Sequence, residues 1–256
     1  PAVEVVRTPS LRTIYIYFNT QRPPFNDVRV RQAFNHAVNK EEILQFVLGG
    51  IGRISDAPIA PGIFGYTSVG RYEYNPQRAQ ELLRQAGVST PLRITLHCPT
   101  GRYFQDIQVC EAIPGQLRRI GVEATIQTLE WGAYLQETQR PLRENRIQMA
   151  MLGWGTVTGD ADYGLYPLFH SSQWAPGFNR AFYKNVEVDK LLAQARISTL
   201  PQGRQQLYRE AMIRIFRDAP WLFLHSEVQV TAVRREVQGF LVHPTERYLA
   251  YKARFR

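Results

Sequence analysis

The chain has 256 residues, 44% of them hydrophobic and 21% charged, an ordinary globular composition that excludes long disorder. No run of about 18 apolar residues occurs, so no segment reads as a membrane-spanning helix, and residues 1–9 lack the basic-then-apolar order of a secretory signal. The formal net charge is +9, but the basic residues are dispersed and interleaved with acids, as at Arg78/Glu81/Arg84; this pattern predicts an Arg-rich solvated surface and argues against a nucleic-acid interface.

The first element is a β-branched and aromatic run, Arg12 to Phe18, ended by the turn-prone Asn19–Pro24 stretch. A helix is predicted from about Asp27, with Val30, Ala33, Phe34, Ala37 and Val38 on one face. Asn39 with Glu42 three residues on forms a capping-box-like start for a second helix, which Gly49-Gly50 stops. Residues 51–74 are rich in Gly and Pro and read as an irregular surface excursion. Asn75-Pro76 opens a third helix with Ala79, Leu82, Leu83 and Ala86 as its buried stripe. Then come a strand (Leu92–Cys98), a helix (Phe104–Ile120) that Pro114 is expected to kink or break, a strand (Val122–Leu129), a short helix near Trp131 and an apolar strand (Ile147–Leu152). Helices at about 186–197 and 201–218 follow, and strands near 221–230 and 239–242 close the chain. Strand–helix–strand units of this length predict an α/β (α+β) fold with helices packed on a sheet.

The two cysteines, Cys98 and Cys110, are too few for a disulfide scaffold and have no zinc spacing. A bridge between them is conceivable in an oxidising compartment, although one falls in a strand pattern and the other in a helix pattern. Catalytic signatures such as GxSxG, HExxH and the phosphate-binding GxxxxGK[ST] are absent, and the five histidines are isolated, with His36 and His225 reading as core or half-buried. Asp160 and Asp162 form a DxD, but the surrounding tract supplies few further oxygen ligands, so no metal is expected.

Two segments carry ligand-binding chemistry. Pro99–Tyr103 lies between a strand end and a helix start, where the Arg102 fork can hold a carboxylate beside backbone donors, with Tyr103 next to it. Gly153–Tyr163 follows the apolar strand; its small residues permit close approach of a ligand, Trp154 offers a wall, and Thr156, Thr158 and Asp160 offer hydrogen bonds. The alternative for Asp160 is an ordinary helix N-cap. A third tract, Phe178 to Asn185, contributes Asn179 and Phe182, with a hydrophobic plug as the alternative.

Taken in order, several pieces of the chain resemble the peptide/nickel-type (family 5) solute-binding proteins of ABC importers. They are Tyr15–Thr20 with Pro23-Pro24-Phe25, Val28–Ala33, Tyr74-Asn75-Pro76, Gln116–Val122, Gly153-Trp154, Tyr183-Lys184-Asn185, Asp218-Ala219-Pro220 and Val237–Phe240. The resemblance implies the C-terminal lobe of a two-lobed periplasmic-binding-protein-like fold over residues 1–220, with 221–256 returning as crossover strands toward an N-terminal lobe that this sequence lacks. Thr158–Leu165 and the Asn179–Asn185 tract look most like the glutathione-binding branch. The resemblance further implies a periplasmic or extracytoplasmic location, permease subunits as partners, no cofactor and no enzymatic activity. Dipeptide-binding relatives place an Arg at the position of Arg102 and an acid three residues after the Trp. Here that second position is Val157, which leaves Asp160 or Asp162 to supply the anion. The other readings weighed are a binder of oligopeptide, opine, haem or nickel chelate, and, in a different class, a peptide hydrolase.

Overall fold

A computed structural model describes residues 2–256. Strand β1 (Val3–Phe18) explains the architecture through its own alternation. Ile14, Ile16 and Phe18 enter one buried cluster and Tyr15 and Tyr17 another. A strand whose two faces both carry large apolar groups has to be sandwiched, because successive side chains point to opposite sides of a sheet.

β1 lies inside a six-stranded sheet with β2 (Arg53–Ile54), β3 (Leu92–Thr100), β4 (Val122–Glu130), β5 (Met149–Gly155) and β6 (Trp221–Arg234), in the order β2-β6-β1-β5-β3-β4. β3 pairs in parallel with both β4 and β5, whereas β1 pairs antiparallel with β5 and β6. One face is covered by α1 (Val28–Ala37), α3 (Pro76–Gln85) and α4 (Asp106–Arg118), through residues such as Phe34, Leu82 and Ile113. The other carries α5 (Trp131–Thr138), α6 (Ala161–Phe169), α7 (Val186–Ile197) and α8 (Pro201–Asp218), through residues such as Tyr134, Leu165, Leu192 and Ile215. The mixed α/β class is therefore as expected.

Local signals set most helix starts. The side chains of Asp27, Asn75 and Asn185 accept hydrogen bonds from the first-turn amides of their helices, and Asn39 does the same for α2 (Lys40–Glu42), which runs on as a π-helical turn over Ile43–Val47. Pro114 does not break α4, which continues through it to Arg118. The buried neighbours Ile113, Gln116 and Leu117 hold that turn against the sheet, so tertiary packing outweighs the one hydrogen bond that proline cannot donate. Cys98 and Cys110 are disulfide-bonded, with Cα atoms 6.6 Å apart. The strand and helix that carry them pack face to face, and both residues are fully buried.

The first four residues of β6, Trp221 to Leu224, belong to the core, so a division at residue 220 falls where a central strand begins. The change from core to periphery comes later within β6, after Ser226. From there Val228–Arg234 pairs with Val3–Pro9 as a two-stranded extension. Two short pairs complete the chain: β7 (Val237–Gln238) with β10 (Arg254–Phe255), and β8 (Leu241–Val242) with β9 (Tyr248–Leu249). Among the described residues no helix is long and apolar enough to cross a membrane.

Candidate functional site

The sheet order creates a crevice. From β3 the chain passes through α4 on one face to β4, then through α5 on the opposite face to β5 on the far side of β3. The segments leaving the carboxyl ends of β3 and β4 therefore diverge, and such divergence is where open α/β sheets accept ligands. Arg102 and Trp131 stand on the two sides of this divide, and the Arg102 guanidinium lies over both the Trp131 and Tyr103 rings, 5.2 Å from each centroid. Asp106 fixes the loop by accepting the backbone N–H groups of Arg102 (2.8 Å) and Tyr103 (3.1 Å). Among the described residues the Arg102 side chain has neither a hydrogen bond nor an acidic partner, so its planar fork is stacked, exposed and free to take a carboxylate.

Tyr103 is buried and anchors the end of β5. The N–H of Gly153 donates to its hydroxyl at 2.8 Å, and burial pushes the phenol up to about 12, so it stays neutral. A Cβ on Gly153 would sit 2.6 Å from Ile14 Cδ1 and 2.8 Å from the Tyr103 ring, so only glycine fits between them. On the same face, Arg12 places its guanidinium 5.7 Å from the Tyr103 centroid, pairs with Glu246, and brings Nε to 3.6 Å from Glu227. Glu227 is pushed up to about 7, by burial first, with the Glu246 charge adding to it and Arg12 and Arg102 opposing. His225, two residues before it on β6, is buried and held down to about 4 by desolvation.

The rest of the expected site falls elsewhere. Trp154 follows Gly153 on β5 and so faces the other side, where it packs 5.2 Å from Tyr163 and 5.0 Å from Phe178, with its indole N–H donating to Tyr163 O at 2.8 Å. Thr156 is buried with its backbone N–H on Leu11 O, while Thr158 is exposed and its hydroxyl accepts the Asp160 N–H at 3.3 Å. Asp160 is the N-cap of α6 and also forms a two-pronged ion pair with Arg204 at 2.8 and 2.9 Å, so most of its acceptor capacity is spent within the fold. Asp162 pairs with Arg196 at 3.2 Å. Asn179 is fully buried: its side-chain amide donates to His170 O and Tyr183 O, and its oxygen accepts the Tyr183 N–H. Phe182 is fully buried too, edge-on to Trp174 at 5.8 Å. Asn179 and Phe182 thus hold a turn from the inside, which places them out of a ligand's reach.

Arg12, Trp131, Glu227 and Glu246 escaped the sequence reading. For Arg12 and Glu227 a signal existed: each is a charge at the edge of a strongly apolar strand run, next to Thr13–Phe18 and Trp221–Leu224 respectively. Trp131 read only as a helix start, and nothing local marks Glu246.

A family model described as bacterial extracellular solute-binding proteins, family 5 Middle, matches residues 1–176. The glutathione-binding protein GsiB of Pectobacterium atrosepticum is 33% identical over 242 residues, covering 94% of this chain and 47% of its own length. GsiB of Escherichia coli K12 is 31% identical over 244 residues, with 48% of its length covered. Among solved structures, the periplasmic binding protein DppA of Helicobacter pylori in complex with the peptide STSA superposes with a TM-score of 0.86 at 30% identity, covering 93% of this chain and 46% of that one. HbpA2 of Haemophilus parasuis gives a TM-score of 0.88 at 27% identity, covering all of this chain and 50% of that one. The chain spans about half the length of the curated relatives it matches.

Proposed function

Because the chain belongs to the family 5 bacterial extracellular solute-binding proteins, we propose that it is one lobe of the ligand-capturing component of an ABC importer, and that it receives a small peptide-like molecule, glutathione or a short peptide, at the Arg102 crevice. The observation that carries this reading is the stacked and unpaired guanidinium of Arg102 at the point where the β3 and β4 connections diverge. A preoriented fork resting on two aromatic rings loses little freedom on taking a carboxylate in bidentate geometry. Tyr103 and Gly153 set the floor beneath it, and Trp154 and Thr158 stand at the neighbouring rim on the opposite face.

In this reading a second lobe covers the crevice, and the C-terminal segment 221–256 carries the chain toward it along the β1–β6 extension. Ligand bridging the lobes stabilises the closed form, which docks on the permease. The buried Cys98–Cys110 bridge supports an extracytoplasmic location, where disulfides persist. The protein is a binder and not an enzyme, so incubation with γ-glutamyl peptides is expected to release no product.

The test is calorimetric titration of the protein with both lobes present, using glutathione, dipeptides and longer peptides, repeated with Arg102→Ala. Loss of a charge-assisted bidentate contact is expected to weaken binding roughly tenfold to a hundredfold. Binding of peptides that Arg102→Ala leaves untouched would overturn the assignment of this crevice. The 256-residue chain alone is expected to bind weakly or not at all, and micromolar affinity in isolation would remove the need for a second lobe.

A further inference from the structure

Between β3 and α4 the chain makes a short turn that carries both Arg102 and Tyr103, and the disulfide of Cys98 with Cys110, 12 positions on, closes a covalent ring around it. We propose that this disulfide is a positioning device for the ligand site: it keeps the Arg102 guanidinium on its two aromatic rings, and removing it weakens the hold on the ligand carboxylate before it unfolds the lobe. The proposal rests on the peptide-binding reading above. It gives the bridge a part in that site which neither sulfur takes by contact, since both are fully buried.

The turn has few ties of its own. Pairing of β3 with β4 runs out to Thr100 opposite Glu130, which leaves Gly101 to Gln105 outside the sheet. Of these five residues Gly101, Arg102 and Phe104 are exposed, and Tyr103 alone is buried. Both ends of the turn lie in left-handed backbone, Gly101 at φ 70° and Gln105 at φ 55°. A glutamine avoids that region, and it persists there where surrounding contacts over-determine the chain.

The start of α4 does not supply those contacts in the usual way. Asp27, Asn75, Asp160 and Asn185 cap their helices with side-chain oxygens, whereas the N-cap of α4 is Gln105, whose side chain makes no capping hydrogen bond. Asp106 in the first turn reaches backward instead. Its Oδ2 accepts the N–H groups of Arg102 and Tyr103, and its Oδ1 accepts the Ile107 N–H at 2.9 Å. These bonds tie the turn to the helix, and they fix it in the fold only if the first helical turn is itself fixed. Ile107 is half-buried and Gln108 exposed, so the side chains of α4 first enter the apolar core at Val109 and Cys110. The disulfide joins Cys110 to Cys98, two residues before β3 ends. Arg102 thus hangs on β3 through the bridge, the first turn of α4 and Asp106.

The body of α4 has other means of staying on the sheet. Val109, Ile113 and Leu117 are fully buried in the cluster that holds Ile94, Leu96 and Phe34, and apolar burial of that extent keeps a helix docked without a covalent link. At the ligand end the geometry leaves little tolerance. The Arg102 guanidinium carbon stands 5.2 Å from each ring centroid, and cation–π attraction holds within about 6 Å, so a shift of roughly 1 Å unstacks a ring. Burial of both sulfurs also keeps thiol reductants from the bond, which makes the bridge a permanent brace and not a redox switch.

The protein with both lobes present is compared as wild type and as Cys98→Ala/Cys110→Ala. In hydrogen exchange without ligand, the Arg102 and Tyr103 amides are expected to lose about tenfold or more of their protection, while Ile113 and Leu117 in α4 keep theirs. Calorimetric titration with Ala-Phe and with its C-terminal amide then reads the site. The wild type is expected to prefer the free acid, and loss of the bridge to erase roughly threefold to tenfold of that preference with the affinity for the amide unchanged, as it must if the fraction of molecules with Arg102 in place falls by that factor. In an Arg102→Ala background, loss of the bridge is expected to change neither affinity, because the bridge acts through that side chain. If protection falls equally along the whole of α4, if acid and amide lose affinity alike, or if neither protection nor preference moves, the positioning role is wrong and the Arg102 reading stands. If the wild type binds Ala-Phe in neither form, or Arg102→Ala leaves the affinity for the acid untouched, the peptide-carboxylate reading fails and the proposal with it. Should the double alanine variant not fold, Cys98→Val/Cys110→Ala, which refills part of the space on the strand side, is measured in the same way. Failure of both to fold overturns the proposal, since the bridge then holds the lobe as a whole.

Discussion

The two faces at the carboxyl edge of the sheet both carry polar side chains and differ in how those side chains are spent. On the face of α5 to α8, Asp160 caps a helix and clamps Arg204, and Asn179 uses its side-chain oxygen and amide on neighbouring backbone. On the face of α4, Arg102 has no partner beyond the rings it rests on, and Glu227 meets Arg12 Nε only at 3.6 Å. Both sets look equally functional as residue types. The difference teaches that unmet hydrogen-bonding and charge capacity, more than polarity, separates a ligand surface from a fold determinant.

The largest expected effect tests the satisfied face. Phe182→Ala removes a fully buried ring and is expected to cost about 3–5 kcal/mol of stability by denaturant unfolding. A loss below about 1 kcal/mol would mean that the turn it fills is not part of the core.

The second prediction concerns pH and the opposite face. Glu227 has its folded pKa raised from 4.5 to about 7, so the stability it confers is full below 4.5 and is lost as pH rises through 7. His225 has its folded pKa lowered from 6.5 to about 4, so its contribution is full above 6.5 and is lost as pH falls through 4. Between about pH 4.5 and 6.5 the two slopes oppose and nearly cancel. Glu227→Gln removes one of them, and stability is then expected to climb by up to about 3 kcal/mol from pH 4 to 6.5 relative to the wild type, as read by chemical unfolding across that range. An unchanged pH profile would place Glu227 in water, and the contrast between the faces would lose its main support.

Gly153→Ala sharpens the comparison at the boundary between the faces. The added methyl collides with Ile14 and the Tyr103 ring, and a cost of about 1–3 kcal/mol in thermal or denaturant unfolding is expected. Because Tyr103 must shift, ligand affinity at Arg102 is expected to fall as well. Asp160→Ala gives the smallest effect, about 1 kcal/mol from the lost cap and the partly exposed ion pair, with ligand affinity unchanged. A tenfold loss of affinity in that variant would return Asp160 to the binding site.

Much of the fold was legible because its signals are local. Asn75-Pro76 started a helix, Leu92 to Cys98 made a strand, and the apolar runs at Thr13–Phe18 and near Trp221 read as strands, although their central place in one sheet was not legible. The failures have a physical cause in common. Pro114 was overridden by packing from Ile113 and Leu117, and the Cys98–Cys110 bridge, which the sequence left open, depended on α4 lying flat on β3, which no spacing reveals.

Within the site, Arg102 was legible from its place between a strand end and a helix start, and the family likeness followed from the ordered pieces of sequence. Whether Asp160, Asn179 and Phe182 faced a ligand or a core was not legible, since each residue type serves both ends equally well. The sequence by itself determined the periodicities, the caps and the family, because these depend on neighbours within a few residues. Only the tertiary structure decided which charges meet: it set Arg12 from β1 against Glu227 from β6 and Glu246 from a distant turn, and partnering between residues more than two hundred positions apart is a property of packing alone.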